Sequence, residues 1–477
     1  MLALLLCAAA ASAQVDVAAL TSRLQAVAED RAKAYSCKIA IGVQTATQSL
    51  SAASDGQDSE RYVWGSVTKL LTGSGVLRAA ERKQLDLDKP VAVRTTPYKS
   101  CPRPLTHSPC LLALVLLQPL LDPMLASLKL GSMEDLFGSS ARLITPRHLG
   151  SMKSGVPDYD TAKPYPRPPT DAFRAEVYAK PDVEWDPADI LNVSWVAKGE
   201  LDFAPGTHTS YSSTNFVLLG LLLAALNKSP KWDAYDQLSA LDALPDDRRK
   251  LYDHVRLGVH GAPSALTSIH GYDRTSYNGA NASRLPGTDV FKVKGVYAGW
   301  TASDVTASVA DVARLAYDIF GASGPRILTP SSVATMVPHN SAHSFPYGFA
   351  TFNLSRGWGV SAGKRPNYNT AYGHLGATYG YQSIALYFPA ADLSLAVASN
   401  IETDDQVQPS DVACLAYNVV LAAINNWTQP TCKFVTSGYY GGKCDCGNDY
   451  ECKPLTKKCE RSSRSGKLSK ADCEASC

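Results

Sequence analysis

An α+β fold with a small disulfide-rich C-terminal module is predicted by three features of this chain. Helical periodicity fills its start and middle. Loosely alternating, β-branched or apolar stretches lie toward both ends. Cysteines crowd the segment after Pro430. The 477 residues are 45% hydrophobic and 19% charged, the composition of an ordinary globular protein with a large core. A net charge of +2 supplies no overall field to recruit nucleic acid.

Residues 1–13 form an apolar run ending in Ala11-Ser12-Ala13, the small-x-small pattern of a signal-peptide cleavage site, although the usual positive start is missing. The expectation is a secreted, extracellular protein. Twelve cysteines fit an oxidising compartment. Removal of Cys7 with the signal leaves an odd number, so one thiol is free or pairs with another chain. Sequons at Asn192, Asn227, Asn281, Asn353 and Asn426 add the expectation of a glycoprotein if the host is a eukaryote. Pro230 makes the second of them the weakest. The apolar runs 111–117 and 216–226 are too short to span a bilayer, so no transmembrane segment is expected.

Residues 15–34 have helical periodicity and 38–43 read as a strand. A polar turn at Ser54-Asp55-Gly56 leads to Gly65-Ser66-Val67-Thr68-Lys69-Leu70-Leu71-Thr72-Gly73. Positions three apart share a helix face, which puts the Lys69 amine beside the Ser66 hydroxyl. A serine is a poor nucleophile until a neighbour takes its proton, and a buried lysine can do so. Ser-x-x-Lys also arises by chance, as at Ser361-Ala362-Gly363-Lys364, but that copy lies among Gly, Pro and Asn. The first copy runs into Leu70, Leu71, Val76 and Leu77 at helical spacing. Gln84-Leu85-Asp86-Leu87-Asp88-Lys89-Pro90 is the helix exit.

Cys101 and Cys110 bracket a short loop and could pair. The apolar helix at 111–117 breaks at Gln118-Pro119. Residues 232–296, rich in Asp, Gly, Tyr and His, predict loops and short helices over a cleft rim. Residues 347–352, 383–388 and 393–399 alternate as half-buried strands do, and 412–424 form a closing helix.

Several stretches occur together in one order. They are Gly65–Thr72 with Leu85-Asp86-Leu87-Asp88; Ile144-Thr145-Pro146-Arg147-His148-Leu149 with Ser154-Gly155-Val156-Pro157-Asp158-Tyr159; Pro205-Gly206 with Tyr211-Ser212-Ser213 and Leu218-Leu219-Gly220; and Tyr372-Gly373-His374-Leu375-Gly376 with Gly380-Tyr381. The chain thereby resembles the serine β-lactamase-like superfamily, in the branch of class C β-lactamases, D-alanyl-D-alanine carboxypeptidases and related esterases. The likeness runs from about residue 15 to 426. It implies a β-lactamase/penicillin-binding-protein-like architecture: an antiparallel sheet built from both chain ends, flanked by helices, with a mostly helical region (roughly 66–290) inserted. The hydrolase domain would be 14–428 and the active site the groove between the two parts.

The resemblance makes Ser66 the nucleophile and Lys69 and Tyr211 its partners, with either as proton acceptor. A phenolate would need cations beside it, namely Lys69 and His374. The oxyanion would be held by the N–H groups of Ser66 and Ala377. Gly376 would let the strand approach substrate without a side chain. His374 stands where many relatives carry lysine, and a histidine is mostly neutral at pH 7. Esters and amides lacking a free carboxylate are therefore expected over acidic peptides. Ser213 replaces the usual asparagine as a shorter substrate contact, with Asn215 on the same side only if the segment is extended. His148-Leu149-Gly150, a second His-x-Gly, sits in a helical context and reads as chance.

The expected function is an acyl-enzyme serine hydrolase acting on a small-molecule or peptide ester or amide, as an esterase, D-amino-acid peptidase or transacylase, with no metal or organic cofactor. The alternative is an inactive scaffold or binding protein that uses its tail. That tail, 429–477, carries Cys432, Cys444, Cys446, Cys452, Cys459, Cys473 and Cys477, where disulfides replace a core. Lys453, Lys457, Lys458, Arg461, Arg464, Lys467 and Lys470 make it basic. It is either a solvated surface or a contact for an anionic wall, glycan or partner.

Overall fold

The computed structural model describes residues 16–92, 120–160, 172–266, 269–275, 286–338, 346–355, 358, 366–404, 406–430 and 432, and the strand backbones 450–453 and 458–461. Residues 1–15, the Cys101/Cys110 loop, the apolar run 111–117, Asn281, the second Ser-x-x-Lys and most of the Cys-rich tail lie outside the described residues.

Asp16 accepts a hydrogen bond from Ala19 N–H and starts helix α1, Val17–Tyr35. Strands β1 (Ile39–Gln44) and β2 (Ser49–Ala53) follow. Helix α2 is Thr68–Glu81, α3 is Ala172–Ala179, α4 is Thr214–Leu226 and α5 is Val309–Phe320. The last part supplies β3 (Phe352–Asn353), β4 (Tyr372–Thr378), β5 (Tyr381–Phe388), β6 (Leu393–Ser399) and α6 (Val407–Asn425). The six strands form one antiparallel sheet in the order β2-β1-β6-β5-β4-β3. β1 pairs with β6 from Ile39↔Ser399 to Gln44↔Ser394, so the two chain ends meet at its centre. The predicted sheet with a helical insertion is what the chain folds into.

Two strand expectations change. Residues 383–388 and 393–399 are strands, but β1, β5 and β6 are buried at every position rather than half-buried. Helices α1, α5 and α6 all pack on the sheet and leave neither face to water. Of residues 347–352 only Phe352 enters a strand, β3; 347–351 are a tight turn closed by a Tyr347↔Phe352 bridge. Gly348 N–H donates to Thr351 O, Ala350 takes a left-handed φ of 55°, and Ala350 N–H donates to Gly150 O.

Helix α4 is apolar all round from Phe216 onward, and its residues 214–224 are all buried, as such a helix must be. Ser308 and Asp311 exchange side-chain bonds with each other's N–H groups, a capping box that fixes the start of α5. Cys432, at the start of the tail, is disulfide-bonded to Cys414 of α6. Cys37 carries no disulfide. The described residues of the 232–296 stretch do form loops and short helices, with short strands at Arg256–Leu257, Tyr272–Asp273 and Thr288–Asp289.

A buried ion cluster ties the insertion to the sheet. Arg174 of α3 donates to Asp273 (3.0 Å) and, through both Nη atoms, to Glu402 (2.7 and 3.0 Å). Glu402 also accepts from Gly380 N–H in the β4–β5 turn (3.0 Å). Removing one partner of such a set strands a buried charge. Arg174→Met is therefore expected to destabilise the fold by about 3–5 kcal/mol, measured as a lower urea midpoint at unchanged m-value.

Candidate active site

Gly65–Val67 is one turn of 3₁₀ helix running into α2. Gly65 has a φ of 52°, and a β-carbon there would lie 2.7 Å from the carbonyl oxygen of Ala377 on β4. Only glycine allows that approach, and it sets Ser66 beside the strand edge. The helix spacing then acts as the sequence predicts. Lys69 Nζ lies 2.8 Å from Ser66 Oγ. Tyr211, on the loop before α4, donates to the same Oγ at 2.8 Å. The alcohol oxygen is thus bracketed by an amine and a phenol.

The amine has two further partners, the Ala302 carbonyl at 2.9 Å and Ser213 Oγ at 3.3 Å. Lys69 is fully buried, while Ser66 is 7% exposed. Burial pushes the amine down to about 7, against the opposing charges of Asp158 and Asp160. The Tyr211 ring lies 5.2 Å from Nζ.

Ala377 lies on β4 itself. Leu354 N–H donates to Ala371 O. Backbone direction alternates along a strand, so residues 371, 373, 375 and 377 turn their N–H groups away from β5. Strand β3 covers only Tyr372 and Gly373. The Ala377 N–H therefore faces the edge occupied by Gly65 and Ser66.

Three expectations need correction. His374 is not a cation or a surface contact: it is fully buried, and burial, with Lys69 nearby, pushes it down to about 3. Its Nδ1 faces the Leu375 carbonyl, which can only accept, so Nδ1 carries the proton and Nε2 accepts from Tyr347 O–H (3.0 Å). The ring packs with Tyr347, Phe352 and Tyr211 as a neutral wall. Gly376 is small because of packing: a β-carbon would sit 2.1 Å from the Trp64 carbonyl oxygen and 2.3 Å from Ser383 Oγ. Asn215 is helical and buried, accepting from Ser154 Oγ at 2.6 Å rather than lying beside Ser213.

Ser213, expected as a shorter substrate contact, is buried and accepts from Lys69. His148 caps its own short helix through Thr145. Reading the sequence missed the Ala302 carbonyl, which has no side-chain signature, and Tyr347, hidden in the stretch read as a strand. Among the described residues no group of His, Cys, Asp and Glu could hold a metal ion.

This architecture is matched in sequence by the Beta-lactamase family model over residues 44–413, and the chain belongs to that family. No curated protein matches it in sequence. Solved structures share the fold. A D-stereospecific amidohydrolase from Streptomyces sp. is 20% identical with a TM-score of 0.57, covering 86% of this chain and 99% of its own. The D-amino acid amidase from Ochrobactrum anthropi SV3, complexed with D-phenylalanine, is 16% identical with a TM-score of 0.58, covering 85% and 99%. The octameric penicillin-binding protein homologue from Pyrococcus abyssi is 16% identical with a TM-score of 0.54, covering 91% and 85%. The fold and family are those of serine hydrolases.

Proposed function

We propose that the protein hydrolyses esters or amides through an acyl-enzyme on Ser66. One observation carries this reading: Ser66 Oγ lies 2.8 Å from both Lys69 Nζ and the Tyr211 hydroxyl. The hydrogen bonds also favour a division of labour. A neutral amine has two N–H groups and one lone pair. The Ala302 carbonyl can only accept, and Ser213 Oγ takes the second N–H. The lone pair is left facing Ser66. Lys69 then takes the Ser66 proton as Oγ attacks the acyl carbon. The oxyanion is held by the N–H groups of Ser66 and Ala377. The leaving group departs with a proton delivered through Tyr211, and water later cleaves the acyl-enzyme by the reverse path.

The neutral His374 offers no fixed charge to a substrate carboxylate, which supports substrates without one. Similarity to amidases named for D-amino acids and D-stereospecificity makes D-amino acid amides the first panel to test. A fluorophosphonate probe should label the wild type and leave Ser66→Ala unlabelled. Equal labelling of both would remove Ser66 from the mechanism.

Export belongs to the same proposal. The small-x-small pattern at Ala11-Ser12-Ala13 and the Cys414–Cys432 disulfide support it. Protein recovered from the medium of an expressing host is expected to begin at Gln14 by N-terminal sequencing. An intact Met1 in a cell-retained product would refute it.

A further inference from the structure

Burying a carboxylate costs free energy unless it is bonded or faces a cation. Asp158 is 6% exposed and lies on neither a helix nor a strand. Its Oδ1 accepts from Ser213 N–H at 2.9 Å, at the positive N-terminal end of α4. Its loop is stapled to the segment around the start of α4. Tyr159 N–H donates to Thr214 Oγ1 (2.9 Å), and Ser212 Oγ donates to Pro157 O (3.3 Å). The next link is Ser213 Oγ, 3.3 Å from Lys69 Nζ. A chain of contacts therefore runs from the carboxylate through one serine to the amine.

We propose that Asp158 is a positioning residue for Lys69: it holds Ser213 against the amine and supplies the negative charge that keeps a buried amine basic enough to take the Ser66 proton. This rests on the Ser66/Lys69 reading above. The groups facing the amine are few. His374 on β4 is neutral and the Tyr211 ring lies over Nζ. Asp158 and Asp160 are the carboxylates that oppose the effect of burial, Asp158 more strongly. An amine stripped of that charge would be neutral over a wider range, and too weak a base to accept a serine proton.

The test is the pH profile of kcat/KM on an activated ester. Asp158→Asn keeps an acceptor for Ser213 N–H and removes only the charge. Its acid limb should move to lower pH by about one unit or more, the scale of one nearby charge, with a lower plateau rate. Asp158→Glu keeps the charge and should leave the limb in place even if the rate falls. A purely structural residue would lower the rate or the melting temperature without moving the limb. An unmoved limb in Asp158→Asn, or equal movement in both variants, overturns the proposal while Ser66 remains essential. Full turnover by Ser66→Ala overturns the underlying reading as well.

Discussion

Ser66→Ala is expected to lower kcat for an activated ester by about 10⁴–10⁶-fold, the usual scale for losing a catalytic nucleophile. The reason is local. Among the described residues the other hydroxyl bonded to the amine is Ser213 Oγ, at 3.3 Å, and the Ser213 backbone is tied to Asp158 through its N–H. Binding and the oxyanion donors survive the change, so residual activity above water should persist. The fold should survive too. Lys69 keeps Ala302 O and Ser213, and the change removes one hydroxyl from a residue that is 7% exposed without altering the backbone that holds it. The decisive result is an unlabelled variant with the wild-type melting midpoint. A labelled one would move the nucleophile elsewhere.

Lys69→Met should cut activity about 10²–10⁴-fold, the range for a positioned general base, while making the protein more stable at neutral pH. A group with an ordinary value of 10.5 and a folded value of about 7 binds its proton more tightly in the unfolded chain. Stability therefore rises as pH climbs from 7 toward 10.5, and the penalty is complete below 7. The full span is on the order of 4–5 kcal/mol. Methionine removes it but leaves the Ala302 carbonyl without its donor, which returns part. A net gain of about 1–3 kcal/mol remains. Chemical denaturation at pH 6, 8 and 9.5 should show a slope above pH 7 in the wild type and a flatter line in the variant. His374 titrates in a different window. With a folded value of about 3 it weakens the wild-type fold as pH falls from 6.5 toward 3; burial alone keeps the effect, over a narrower span, in the variant that lacks the Lys69 charge. Parallel slopes above pH 7 would show that Lys69 is not the group concerned.

These two residues were also the easiest to read. Ser66 and Lys69 lie on one turn, and the apolar run Leu70, Leu71, Val76, Leu77 marks the helix that holds them together. Tyr211 is local in another way, framed by Pro205-Gly206 before it and a helix behind it that is apolar from Phe216 onward. The closing helix was placed correctly, though it starts earlier, at Val407. Where reading failed, the missing quantity was environment. His374 looks like a titrating, substrate-facing residue until Tyr347 and Phe352 are seen to enclose it. Residues 347–352 alternate like a strand, yet a bond from Ala350 to Gly150, two hundred residues away, folds 347–351 into a turn.

Taken alone, the amino-acid order determined what repeats over a few residues: helix faces, strand stretches, the serine–lysine step and the family to which they point. Tertiary structure decided the charge of each group, because burial and opposing carboxylates come from segments far apart in the chain. It also decided why Gly376 is small, since the atoms it avoids belong to Trp64 and Ser383. Short-range sterics are written in neighbouring letters; desolvation and close packing exist only once distant segments have met.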